Sequence, residues 1–158
     1  MKISFLFIFT LLVLLSCTKK TGRDPLLAYS DYAMLDSINA PGTIYYKNNP
    51  AILSPAGNSP HGNFQLRFNA IGFNALTDGG KLPVGGKMPD GSLVIKDIYE
   101  GNALSLHAFM YKKSGAWIWG EIRPNREVYY SVDKNPSVCT GCHSQPGNRD
   151  LVTSFSLH

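Results

Sequence analysis

The sequence predicts a mainly β domain of the α+β class. It combines an antiparallel β-meander, one or two N-terminal helices packed on it, and a C-terminal loop that carries a pair of cysteines. Three observations predict it. Between residues 92 and 132, four β-branched or aromatic stretches follow one another, separated only by short runs of Gly, Asn, Pro, Ser, Lys and Arg, so each link is a hairpin turn. Ahead of that region, apolar residues recur at the wider spacing of a helix face. Behind it, Cys139-Thr140-Gly141-Cys142-His143 comes directly off the last stretch.

The chain opens with Lys2 and then a run from Ile3 to Leu15 that is apolar except for Ser4 and Thr10. This is shorter than the ~20 residues of a membrane span and is placed like the apolar region of an export signal. It ends Leu14-Leu15-Ser16-Cys17, which resembles a bacterial lipobox. That resemblance implies cleavage before Cys17 and lipid on its sulfur, making residues 1–16 a lipoprotein signal peptide. An ordinary signal peptide or N-terminal anchor, with Cys17 incidental, is the other reading. Thr18 follows the cysteine. An Asp there would argue for inner-membrane retention, so the expected location is the periplasmic face of the outer membrane. Residues 17–24 read as a polar tether. Its Lys19, Lys20 and Arg23 would meet anionic head groups or simply keep the tether soluble.

Residues 25–158 suffice for one domain with a core and are too few for two. The formal charge is +4, with basic residues scattered rather than clustered, which argues against a nucleic-acid partner. An amphipathic helix is expected over residues 25–37, with Asp24 as N-cap and Pro25 in its first turn. Residues 39–63 read as a long loop with a short strand at 43–46. A second helix is expected over residues 65–76, and a Gly- and Pro-rich loop over 77–91. Strands are expected at 92–100, 103–111, 116–122 and 127–132, with residues 151–157 closing the chain.

Two thiols three residues apart and followed at once by an imidazole form the attachment pattern of c-type haem. Each thiol adds across one haem vinyl group. The two intervening residues let the backbone curl so that both sulfurs reach one porphyrin edge, and Gly141 eases that turn. Cys139 and Cys142 are thus the covalent anchors of one haem c and His143 the axial iron ligand. A thioredoxin-like pair would call for a βαβ context, and a zinc site for a second pair of ligands. The chain has three cysteines. One for lipid and two for haem leaves none for a disulfide.

The residues Phe68-Asn69-Ala70, Pro89-Asp90-Gly91-Ser92-Leu93-Val94-Ile95-Lys96, Gly115-Ala116-Trp117 and the haem motif followed by Asp150-Leu151-Val152 carry a family likeness. In that order the chain resembles the cytochrome P-460 family, which includes the β-sheet cytochromes c′-beta, over residues 62–155. The resemblance implies a five-coordinate haem on one face of an antiparallel sheet, with His143 proximal. It also implies one of two activities. Members oxidise hydroxylamine with a lysine cross-linked to the porphyrin, or bind nitric oxide in an apolar pocket without that link. The cross-linked lysine of the enzymes is expected a few residues before the Asp90-Gly91 turn, where Pro83 and Val84 stand and Lys81 and Lys87 flank them. The expectation is therefore a lipid-anchored protein that binds a small gas or nitrogen oxide, or exchanges electrons with a redox partner. A haem enzyme acting on hydroxylamine, and a non-haem lipoprotein with a redox-active cysteine pair, are the alternatives.

Other side chains divide between core and site. Trp117 and Trp119 alternate onto one face, as core or as haem wall. His107 reads as structural, and His61 and His158 as solvated. Met34, Met88 and Met110 are the sulfur candidates for a sixth ligand, with Met110 most simply core. Arg123 and Arg126 are candidates for haem propionates or plain surface. Glu100 and Glu121 are the candidate proton acceptors.

Overall fold

The computed structural model describes residues 30–55, 59–134 and 136–153. The expected signal peptide, Cys17, the tether, the Asp24–Pro25 helix start and residues 154–158 lie outside them. Six strands form one antiparallel sheet in chain order: β1 (Ile44–Tyr45), β2 (Asn63–Phe68), β3 (Leu93–Glu100), β4 (Ala103–Lys113), β5 (Ala116–Ile122) and β6 (Val128–Tyr130). The expected four-strand meander is present and is extended by two strands at its N-terminal side. Between β4 and β5, Ser114 and Gly115 both have positive φ (50° and 76°), the geometry of a two-residue type I′ turn. No described helix is long and apolar enough to cross a membrane.

The helix expected over residues 65–76 is corrected. Phe64, Leu66 and Phe68 are buried and alternate with more exposed neighbours, which is the period of β2. Only α2 (Ala70–Asn74) is helical. Asn69 makes the switch: its Oδ1 accepts from the amides of Gly72 (2.9 Å) and Leu93 (3.0 Å), and its Nδ2 donates to the Gly91 carbonyl (2.7 Å). One side chain thus caps α2 and fastens it to the start of β3.

The first described helix is α1 (Asp31–Asn39), with Ser30 as its N-cap. Ser30 is extended there (φ −123°) and its hydroxyl accepts from the Ala33 amide at 3.2 Å. Met34, Leu35 and Ile38 of α1 pack on Leu93, Ile95, Phe109, Tyr111 and Ile122, and all are buried. Burying each such side chain stabilises the fold by about 1.5–3 kcal/mol. Asp31 anchors the helix by accepting from the Ser131 hydroxyl (2.9 Å) and the Val132 amide (2.8 Å).

This helix face also holds a buried charge cluster. Asp97 accepts from Arg67 at 2.6 and 3.0 Å and from His107 Nδ1 at 2.7 Å. Burial alone would push the Asp97 carboxyl up, but the bonds from His107 and Arg67 outweigh it and hold it below the ordinary carboxylate value. A depressed carboxyl adds stability that is complete above its unfolded pKa and is lost as pH falls through the folded one. Asp97→Ala is therefore expected to cost about 3–5 kcal/mol at neutral pH, because it strands Arg67 without a counter-charge. Urea unfolding checks this. The variant should also lose less stability on acidification than the wild type.

Candidate functional site

The opposite face of the sheet carries the site. Strand register sets Leu66, Lys96, Ala108 and Glu121 in one row across β2 to β5, and Phe68, Val94, Met110 and Trp119 in the next. Over these rows lies a cavity of about 720 Å³. It is within the ~300–1,000 Å³ of cofactor and ligand sites, and its walls are mainly apolar. Loop residues 59–62 line it, as do Val138, Cys139, Cys142 and His143.

The expected cysteine-bearing loop is instead a short helix, α3 (Ser137–His143). Helical spacing puts Cys139, Cys142 and His143 at i, i+3 and i+4, on one side of it. Its end is satisfied from outside. Asn148 Nδ2 donates to the His143 carbonyl at 2.9 Å and Gln145 Nε2 to that of Gly141 at 3.1 Å. Gly141 is helical, and a Cβ added there would meet nothing within 4 Å, so the backbone does not require a glycine at this position. Both thiols are free, with Cys139 half-buried and Cys142 exposed. Burial, then the Glu121 carboxylate, pushes the Cys139 thiol above its ordinary value.

His143 is held on two sides. Its ring meets Trp119 edge to face, with centroids 4.6 Å apart, and its Nδ1 lies 2.6 Å from the Leu151 carbonyl. Burial pushes His143 down to about 4, against the pull of that hydrogen bond and with help from Lys96 and His61. The imidazole is thus neutral at physiological pH. The carbonyl can only accept, so Nδ1 carries the proton and Nε2 keeps its lone pair.

The Leu151 carbonyl is aimed by a strained turn. Asp150 (φ 48°) and Leu151 (φ 64°) are both left-handed, at a cost of about 1–3 kcal/mol each. Three contacts offset it. The Asp150 carboxylate accepts from Lys112 Nζ at 2.9 and 3.0 Å and from the Met88 amide at 2.8 Å. The Asp150 carbonyl accepts from Trp117 Nε1 at 2.7 Å.

The remaining expectations divide. Met110 and Trp119 line the cavity, whereas Met88 is core and Met34, in α1, packs on the other face of the sheet. His107 is structural, on the other face. His61 is not merely solvated: it lines the cavity and pairs with Glu121 at 3.2 Å. Glu100 and Arg123 also line the cavity, while Arg126 pairs with Asp36 at 3.2 Å. Lys81 and Lys87 are not part of the wall. Among the described residues the one lysine lining it is Lys96, which sequence reasoning did not single out for the site. Compared with protein-family models, curated proteins and solved structures, the chain gives no match. Among the described residues no three His, Cys, Asp or Glu converge as a cage for a bare metal ion.

Proposed function

We propose that this chain is an exported, lipid-anchored monohaem protein of the cytochrome P-460 type. It holds one haem c through Cys139 and Cys142 with His143 on the iron, and it binds a small gas or nitrogen oxide such as nitric oxide. Electron exchange with a partner protein is secondary. The observation that carries this reading is His143, whose Nδ1–H is fixed on a backbone carbonyl, leaving Nε2 free beside two unpaired thiols at an apolar cavity. A ring N–H held by a backbone carbonyl in this way is the usual support of a metal-binding imidazole. The donor set suits a c-type haem, which takes two thiols and one nitrogen from the protein. When bound, haem supplies an open coordination position and a redox centre. The chain's own part is to orient His143 through Leu151 and Trp119, and to exclude water with Leu66, Val94, Ile98, Leu106 and Met110.

Absorption spectra of the mature protein, ferric and ferrous, with and without nitric oxide, test the reading. A c-type spectrum that changes on adding the gas is expected, and the absence of any haem band contradicts it. Cys17→Ala is expected to release the protein into the soluble fraction or stall its processing. Unchanged mass and membrane association would contradict the anchor.

Lys96 favours a second reading, a haem enzyme oxidising hydroxylamine or a related nitrogen compound. The resembling enzymes use a lysine joined to the porphyrin, and Lys96, rather than Lys81 or Lys87, reaches the cavity. Glu121 and His61 stand there as proton acceptors. Mass spectrometry of haem peptides separates the two readings. Lys96 joined to haem, with a strongly red-shifted ferrous Soret band, would replace the first reading by the second.

A further inference from the structure

Lys96 extends from β3, at the middle of the sheet, into the cavity. Every acidic side chain near it in sequence or register is committed elsewhere. Glu121, in the same row beyond Ala108, is engaged by His61. Asp97, the next residue, points to the helix face and holds Arg67 and His107. Glu100, at the far end of β3, accepts from the Ser105 hydroxyl at 2.9 Å. Among the described residues the Lys96 ammonium has no carboxylate partner, and it lies over the Phe64 ring, 4.0 Å from its centre. Leu66, Ile98, Leu106 and Ala108 surround this position with hydrocarbon.

A cation in such surroundings is destabilised unless something brings it a negative charge. We propose that Lys96 forms an anion subsite of the cavity, seating a carboxylate or small oxyanion. The anion is either a propionate of the haem itself or a free nitrogen oxyanion such as nitrite. This rests on the haem reading above: a free oxyanion would be a further ligand of that cavity, and a propionate would be the haem's own contact with the wall. Burial pushes Lys96 down to about 8, with the Cys142 thiol pulling the other way. An anion reaching it gains from the low dielectric of the walls, where a charge pair is stronger than in water. The ring of Phe64 keeps the amine in place without neutralising it.

The test uses the mature holoprotein with Lys96→Met and Lys96→Arg, each first checked for covalent haem. Sodium nitrite is titrated by absorbance, carbon monoxide serves as a neutral ligand of the ferrous form, and the reduction potential is measured. If the anion is free, Lys96→Met weakens nitrite by about tenfold or more, Lys96→Arg retains it, and carbon monoxide affinity is unchanged in both. If the anion is a haem propionate, nitrite affinity holds, the potential falls in Lys96→Met, and Lys96→Arg restores it. The proposal is overturned if neither quantity moves, or if Lys96 is found bonded to the porphyrin. Melting temperature in nitrite against chloride of equal ionic strength needs no haem. Should the wild type carry none, the haem reading fails by itself. The subsite then stands on a nitrite-specific rise that Lys96→Met abolishes, and falls without one.

Discussion

The double variant Cys139→Ala/Cys142→Ala is expected to yield protein with no covalently held haem, and each single variant protein with at most one thioether. Acid-acetone separates these states, since it removes haem that only coordination and packing retain. The expectation follows from α3, where the two thiols share one side of the helix with His143 and neither is consumed by a disulfide. His143→Ala is expected to keep the covalent bonds but lose the axial nitrogen, changing the ferric and ferrous spectra and lowering holoprotein stability. Added imidazole should restore part of the wild-type spectrum, because the space left beside Trp119 is the size of the missing ring. Wild-type haem that extracts freely after proper maturation would contradict the whole assignment.

Asp150→Ala is expected to be among the most damaging single changes on the site face. It removes the acceptor for Lys112 Nζ, and the side chains of this pair are only 4% and 10% exposed. Leaving that ammonium buried and unpaired costs roughly 3–5 kcal/mol. The functional effect travels through the backbone. With the carboxylate gone, the left-handed pair Asp150–Leu151 is held mainly by Trp117, and the Leu151 carbonyl drifts from His143 Nδ1. Asp150→Asn keeps an acceptor for the Met88 amide and should perturb His143 less than Ala does. Denaturant unfolding reads the stability, and the haem spectrum reads the orientation of His143. A loss below about 1 kcal/mol together with an unchanged spectrum would mean that the turn holds itself.

The hairpins β3–β4 and β4–β5 were legible because their signals are local: runs rich in β-branched and aromatic residues, and two-residue turns at Gly101-Asn102 and Ser114-Gly115. The region from Phe64 to Leu76 was not, because two elements share it. Phe64, Leu66 and Phe68 follow a period of two, α2 adds a single helical turn, and their sum mimics a helix. The Ser30 cap of α1 was not legible, because Asp24-Pro25 also suits the beginning of a helix and the Ser30 hydroxyl bond is not visible in the sequence. Cys139, Cys142 and His143 were legible as candidates from spacing alone, and α3 sets them on one side of a helix. Lys96, His61 and the roles of Asp150 and Leu151 were not, since each depends on sheet register or a long-range bond that no local pattern encodes. Asp150 reaches Lys112 across 38 residues of sequence, and His61 meets Glu121 only because β5 lies beyond two intervening strands.

The most direct measurement is tandem mass spectrometry of the peptide spanning Cys139 to His143, taken from protein matured with c-type haem attachment machinery and washed with acid-acetone. One haem mass on that peptide, bonded to both cysteines, is expected. The same peptide recovered with two free thiols, or with a disulfide and no haem, would contradict it.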